Sequence, residues 1–125
     1  MLLGAFFNAK DLLHAEDKIS ATLVLNKDHE IFKGHFPGQP VVPGVCMLQM
    51  IKEIVEQASN RKLMLKKAQQ VKYLALIDPV QVPEINVGIQ YKAEEGGSIF
   101  ATGSLFTGDI VFLKFKGEFL FHDHR

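Results

Sequence analysis

The last third of the chain constrains the fold more than any other part of the sequence. Apolar and polar residues alternate over residues 85–91 and again over Ser98–Thr107 and Ile110–Phe121. Alternation of this kind places every second side chain on one face of a β-strand. The segments are separated by Glu94-Glu95-Gly96-Gly97 and Thr107-Gly108-Asp109, which are short glycine-containing turns. We therefore predict three consecutive strands in an antiparallel meander.

A helix is predicted ahead of this meander. Residues 45–58 contain no proline or glycine, and the apolar residues fall on one side at the helical period: Met47, Leu48, Met50, Ile51, Ile54, Val55 and Ala58. The polar residues Gln49, Lys52, Glu53 and Glu56 fall on the other side. This pattern indicates an amphipathic helix of about four turns whose apolar stripe lies on a sheet.

The remaining segments complete an α+β pattern. Residues 19–25 and 66–74 read as strands, residues 26–29 as a turn, and residues 5–14 as a short helix or an irregular arm. One long helix between strands implies a curved antiparallel sheet wrapped around that helix. Since no repeat or linker divides the sequence, we expect residues 1–125 to form a single domain.

Composition excludes several classes of partner. The 125 residues carry 14 basic and 14 acidic side chains, and a net charge of zero argues against nucleic acid or an anionic membrane surface. Residues 1–7 are apolar but too short for a signal peptide or a membrane span. The single cysteine, Cys46, cannot form an internal disulfide, so we expect a cytoplasmic protein in which Cys46 is a small buried residue.

A proline- and glycine-rich loop before the helix carries the chemistry. Residues 34–45 read Gly-His-Phe-Pro-Gly-Gln-Pro-Val-Val-Pro-Gly-Val, so His35 lies in a rigid loop just ahead of a helix N-terminus. A neutral imidazole beside free backbone N–H groups is suited to removing a proton next to a carbonyl. The alternative is a loop histidine that only hydrogen-bonds backbone.

This loop, with the strand before it and the amphipathic helix after it, closely resembles the 3-hydroxyacyl-[acyl-carrier-protein] dehydratases of type II fatty acid synthesis. The resemblance covers about residues 19–60. It implies a hot-dog fold and a homodimer with sites at the interface; many members assemble three such dimers. It also implies dehydration of a 3-hydroxyacyl thioester to the trans-2-enoyl thioester. No metal or redox cofactor is implied, because the substrate is carried on the phosphopantetheine of acyl carrier protein.

The resemblance also assigns roles to residues of the loop and helix. His35 matches the family's base, and the helix start at Gly44 and Val45 matches the group that binds the thioester oxygen through backbone N–H. The remaining matched residues shape the loop: Phe36, Pro37, Gly38 and Pro43.

Two helix residues are exchanged relative to the family. Gln49 stands where the family has Glu or Asp, and Glu53 stands where the family commonly has Gln. Three hypotheses follow: Glu53 supplies the acid; His35 works alone while Gln49 orients the hydroxyl; or the site is inactive and the protein binds acyl chains or supports a competent partner. For Glu53 itself, a solvated surface charge is the plain alternative.

Two other interpretations concern a thioesterase and a metal site. A hot-dog thioesterase would also use a helix carboxylate near a helix N-terminus, but such enzymes generally lack the His-Phe-Pro-Gly loop. The sequence His122-Asp123-His124 looks like a set of metal ligands, yet terminal residues are seldom well ordered, so we predict no metal site.

Overall fold

Six strands and two helices make up the computed structural model, which describes residues 1–34 and 38–122. In chain order they are β1 (Phe7–Ala15), β2 (Lys18–Leu25), α1 (Ile31–Gly34), α2 (Gly44–Ser59), β3 (Leu63–Tyr73), β4 (Glu84–Glu94), β5 (Ser98–Thr107) and β6 (Ile110–Phe121). The strands form one antiparallel sheet in the order β1-β2-β4-β5-β6-β3. The predicted α+β class is therefore confirmed.

The predicted meander is confirmed: β5 and β6 have their predicted bounds, and β4 (Glu84–Glu94) extends beyond the predicted residues 85–91. Strands β4, β5 and β6 are neighbours, with Asn86 opposite Phe106 and Ser98 opposite Leu120. At the β4–β5 turn Gly96 has a φ of 84° and Gly97 a φ of 81°, a left-handed conformation that favours glycine. The turn chemistry thus sets the register of this hairpin.

The sixteen-residue helix α2 lies on the inner face of the sheet. Met50 and Ile54 are fully buried, and Ile51 packs beside Gly103 of β5, whose missing side chain leaves room for it. Each large apolar side chain buried in this way contributes roughly 1.5–3 kcal/mol. The amphipathic stripe predicted for this helix therefore forms the centre of the core.

The prediction of a short helix or irregular arm for residues 5–14 was wrong. Residues Phe7–Ala15 form the edge strand β1, paired with β2 through a bulge between Lys10 and Leu13. Of these nine residues only Phe7 is buried, so the segment has no clear alternation. Pairing with β2, rather than local sequence, makes it a strand.

Three smaller differences concern the middle of the chain. The strand predicted from residue 66 starts at Leu63, and the short helix α1 was not predicted. The prediction that placed Glu53 on the polar side of α2 was also wrong, since this residue is 1% exposed.

Among the described residues, no helix has the length and apolar character that crossing a bilayer requires.

The two edges of the sheet differ in character. Strand β1 forms one edge and exposes a single large apolar side chain, Leu13. Strand β3 forms the other edge, and exposed apolar side chains gather along it and the segment that follows: Met64, Leu65, Tyr73, Leu74 and Leu76.

Candidate active site

The N-terminus of α2 offers free backbone donors. Pro43 is the N-cap residue, with φ −62° and ψ 147°, and its side chain makes no capping hydrogen bond. Its carbonyl accepts from Cys46 N (3.0 Å) and Met47 N (3.2 Å). Within residues 1–34 and 38–122, no acceptor takes a hydrogen bond from Gly44 N–H or Val45 N–H. These two donors, at the positive end of a long helix, can stabilise an oxygen on which negative charge develops.

The loop before this helix is fixed at its described end. Gly38 has a φ of 82°, a backbone conformation that residues other than glycine rarely adopt. This supports its predicted role in shaping the loop. Val42 N donates to Ile77 O at 2.9 Å and ties the loop to the segment after β3. His35, Phe36 and Pro37 lie outside the described residues, so their roles stay predictions.

Tyr73 is a neighbour of the helix start that the sequence did not indicate. A Cβ placed on Gly44 would lie 2.9 Å from Tyr73 Cζ and 3.1 Å from its Oη. Glycine at position 44 therefore leaves room for this aromatic ring. Tyr73 ends β3, and nothing in its local sequence distinguishes it from an ordinary strand residue.

A groove of about 430 Å³ runs beside α2, between the helix and strands β3 and β6. Its lining is mostly apolar, with a few polar groups: Val45, Leu48, Gln49, Lys52, Leu63, Met64, Leu65, Phe115, Phe119 and His122. Val45 at the helix start and Gln49 one turn later thus lie on the wall of the same groove. A cavity with apolar walls and a few placed polar groups is typical of sites for small apolar ligands.

Gln49 and Glu53 contact each other directly. Gln49 Nε2 donates to Glu53 Oε2 at 2.7 Å. The Glu53 carboxylate also accepts from Leu2 N, at 3.0 Å to Oε1 and 2.8 Å to Oε2, and from Leu3 N at 2.7 Å to Oε1. The interpretation of Glu53 as a solvated surface charge is therefore wrong: the carboxylate is buried and its oxygens are held by backbone N–H groups.

The interpretation of Cys46 as a small buried residue is confirmed. Its side chain is 7% exposed, and burial raises the pKa of the thiol. A thiol that stays protonated is a poor nucleophile.

The segment His122-Asp123-His124 is only partly described. His122 is exposed and its backbone N–H donates to Lys62 O at 2.8 Å, while Asp123 and His124 lie outside the described residues. Over the described residues, no three His, Cys, Asp or Glu side chains gather as a set of metal ligands.

Comparison with known families gives a match over most of the chain. The sequence profile of the ApeI-like family, described as ApeI dehydratase, matches residues 11–109. The 3-hydroxyacyl-[acyl-carrier-protein] dehydratase FabZ of Levilactobacillus brevis is 26% identical over 107 residues, covering 80% of this chain and 72% of its own length. The enzyme of the same name from Lactobacillus helveticus is 24% identical over 101 residues, covering 75% of this chain and 68% of its own.

Solved structures share the fold at low sequence identity. The dehydratase heterocomplex ApeI:P from Xenorhabdus doucetiae has a TM-score of 0.66 at 19% identity, covering 87% of this chain and 96% of that one. A putative thioesterase from Lactococcus lactis has a TM-score of 0.68 at 12% identity, covering 94% of each chain. Together these likenesses confirm the predicted hot-dog fold.

Proposed function

The chain belongs to the ApeI-like dehydratase family, and on that premise we propose that it dehydrates a 3-hydroxyacyl group carried by acyl carrier protein to the trans-2-enoyl thioester. One observation carries this proposal. Val45 and Gln49 line a single apolar groove, and Val45 belongs to the helix start where, among the described residues, the N–H groups of Gly44 and Val45 have no acceptor. This helix start comes shortly after the His35 motif in the sequence. The groove supplies a place for the acyl chain, and the helix start supplies donors for the thioester oxygen.

The proposed reaction conserves protons within the site. His35 takes the proton from C2 while the thioester oxygen, which gains negative charge, binds the N–H groups of Gly44 and Val45. The C3–O bond then breaks, the C2=C3 double bond forms, and the imidazolium returns its proton to the departing hydroxyl as water. Gln49 holds that hydroxyl by a hydrogen bond. No metal or redox cofactor takes part.

The position of Glu53 favours His35 as both base and acid. Both Glu53 oxygens accept hydrogen bonds from Leu2, Leu3 or Gln49, and the side chain is buried. A carboxyl committed in this way is poorly placed to give a proton to a substrate in the groove. The second of the three hypotheses, in which Gln49 only orients the hydroxyl, is therefore the one we propose.

We further propose that two copies of the chain form the active unit. The exposed apolar side chains along β3 and just after it, such as Leu74 and Leu76, lie at a sheet edge whose backbone groups have no neighbouring strand among the described residues. Pairing of two β3 edges would cover them and join two sheets. By the family resemblance, His35 of one subunit would then face Gln49 of the other. Assembly of three such dimers stays a prediction.

A product assay tests this function. The protein is incubated with a 3-hydroxyacyl thioester of acyl carrier protein, and the products are separated by mass. We expect enoyl thioester; free acid would instead identify a thioesterase. His35→Ala should lower the rate by about 10²–10⁴-fold or more, since it removes the proposed general base. His14→Ala is the matched control. His14 lies on β1, hydrogen-bonds Tyr91 and the Ala58 carbonyl, and does not line the groove.

A second candidate function rests on the Gln49 amide. A side-chain amide can donate a hydrogen bond but cannot act as an acid. A chain with Gln at this position is therefore also suited to holding an acyl carrier without turnover. One of the solved relatives of this fold is a dehydratase heterocomplex, which favours a version in which this chain supports a different, competent subunit. Tight binding of the acyl carrier with no product in the same assay would identify this function.

A further inference from the structure

We infer that Glu53 is a positioning residue that determines which end of the Gln49 side-chain amide faces the groove. The structural part of this inference is independent of the reaction, and its catalytic consequence rests on the proposed function. The contacts of Glu53, the chemistry of the two side chains and the lining of the groove carry it.

Glu53 is fixed by main chain that is remote in sequence. The residue is 1% exposed, and its carboxylate accepts from Leu2 N, shared between both oxygens, and from Leu3 N, at 2.7–3.0 Å. These donors lie 50 and 51 residues away along the chain. A buried carboxylate is costly unless such donors satisfy it. The segment before β1 therefore holds the carboxylate in one orientation.

The fixed carboxylate in turn fixes Gln49. A carboxylate only accepts hydrogen bonds, whereas an amide has a donating end and an accepting end. At 2.7 Å from Glu53 Oε2, Gln49 must present its –NH₂ end. Its Oε1 receives no hydrogen bond from the described residues, and the side chain lines the groove. Gln49 Oε1 is therefore the end of the amide that is available to accept a hydrogen bond in the groove.

An acceptor at this place suits a hydroxyl and not a ketone. It binds the O–H of a 3-hydroxyl group and leaves the hydroxyl lone pairs free to receive the proton from His35. A 3-oxoacyl group has no hydrogen there and would set its oxygen against Gln49 Oε1. A site built to bond a hydroxyl discriminates strongly against an analogue that lacks it. Glu53 therefore sets the preference of the groove through Gln49.

Glu53→Gln should invert the Gln49 amide without removing any heavy atom. The amide introduced at position 53 would turn its carbonyl oxygen toward Leu2 N and Leu3 N, so its –NH₂ would point at Gln49. Gln49 would then turn its oxygen toward position 53 and its –NH₂ toward the groove. The double variant Gln49→Glu/Glu53→Gln restores an acceptor facing the groove, because the carboxylate introduced at position 49 accepts from the amide introduced at position 53.

The experiment measures kcat and KM of the full chain for 3-hydroxyacyl and 3-oxoacyl carrier thioesters, the latter as a competing ligand. Glu53→Gln should lower kcat by about 10–100-fold, the effect of leaving one polar group mispaired, and weaken the preference over the 3-oxo ligand. The double variant should recover the preference over the 3-oxo ligand. In a Gln49→Ala background, Glu53→Gln should have no further effect on kcat. An undiminished kcat in Glu53→Gln, or an equal loss in the Gln49→Ala background, overturns the positioning role.

A spectroscopic readout separates this inference from the proposed function. The ¹⁵N–¹H resonances of the Gln49 side-chain amide, identified by their absence in Gln49→Ala, should shift in Glu53→Gln and no longer report a carboxylate partner. If the wild-type chain turns over no 3-hydroxyacyl thioester, the proposed function fails while this shift still decides the positioning role. Unshifted resonances in a folded Glu53→Gln variant would refute it. If Glu53→Gln does not fold, the double variant, which keeps the bonds of Leu2 N and Leu3 N to one oxygen at position 53 and restores a bond between positions 49 and 53, must fold for the inference to stand.

Discussion

At the scale of single residues, the Glu53 carboxylate shows that a side chain's role depends on its partners more than on its type. The same carboxyl group in a solvated position would be an available acid. Held by Leu2 N, Leu3 N and Gln49 Nε2, it becomes part of the scaffold of the groove. Of the exchanged pair on α2, Gln49 therefore lines the groove and Glu53 holds the Gln49 side chain.

Cys46 gives a pH-dependent prediction at the same scale. Burial raises the pKa of its thiol above the ordinary value of 9.0, so the unfolded chain ionises first as the pH rises. The stabilising difference is fully present below pH 9.0 and is lost as the pH climbs through the folded-state pKa. We expect the free energy of unfolding of the wild type to fall more between pH 7 and about pH 10 than that of Cys46→Ala, as measured by urea titration.

The matched check on Cys46 is chemical. Iodoacetamide should label the folded chain far more slowly than the urea-unfolded chain at the same pH, because only the thiolate reacts and burial disfavours it. Equal labelling rates would show that the thiol is accessible and would contradict the buried position.

At the scale of elements, two glycines in the sheet predict opposite outcomes for one substitution. A Cβ on Gly117 of β6 would lie 2.4 Å from Phe115 Cζ and 2.8 Å from the Lys67 carbonyl oxygen. Phe115 is buried and the carbonyl is main chain, so neither can move aside. Gly117→Ala should therefore cost about 1–3 kcal/mol of stability, measured by urea unfolding.

Gly88 of β4 is the control for this prediction. A Cβ there would meet only Phe106 Cε1, at 3.6 Å, an ordinary contact. Gly88→Ala should be neutral or stabilise by up to about 1 kcal/mol, since alanine loses less chain entropy on folding. If both variants lost equal stability, the cost would come from the sheet in general and not from the contacts of Gly117.

The elements also show how far sequence reasoning reaches. Strands β4, β5 and β6 were predictable because each buries one face, so the alternation of residues such as Ile85, Val87 and Ile89 reports the strand directly. Strand β1 was not, because its partner β2 decides its conformation. The helix pattern predicted the core face of α2 but not the burial of Glu53, because no helical period reports a main-chain segment folded back from 50 residues away.

The candidate site divides in the same way. Gly44, Val45 and Gln49 could be predicted because the loop motif and the helix period place them, and the structure brings Val45 and Gln49 to one groove. The contact of Tyr73 with Gly44 and the hydrogen bond from Gln49 to Glu53 depend on side chains that meet only in the folded chain. Local sequence carries no signal for either.

At the scale of the whole molecule, the apolar β3 edge predicts a dimer that a charge should disrupt. Leu76 is 73% exposed in the segment that follows this edge. Leu76→Glu would bury a carboxylate in the proposed interface, so we expect sedimentation to shift from dimer toward monomer, with a parallel loss of activity. Leu13→Glu is the control, because Leu13 is 67% exposed on the opposite edge. An unchanged dimer in Leu76→Glu would place the interface elsewhere.

The hydrogen bonds from main-chain N–H groups to Glu53 also determine which amino-acid substitutions the protein can tolerate during evolution. Because Leu2 and Leu3 bond the carboxylate through N–H groups that every residue except proline possesses, the bonds themselves place almost no demand on side-chain identity at these positions. Position 53 has no such freedom, because the N–H groups of Leu2 and Leu3 need a hydrogen-bond acceptor at the end of a side chain as long as that of Glu53. In a library of random substitutions, positions 2 and 3 should therefore accept any residue other than proline that keeps their apolar packing on the core, whereas position 53 should accept very few.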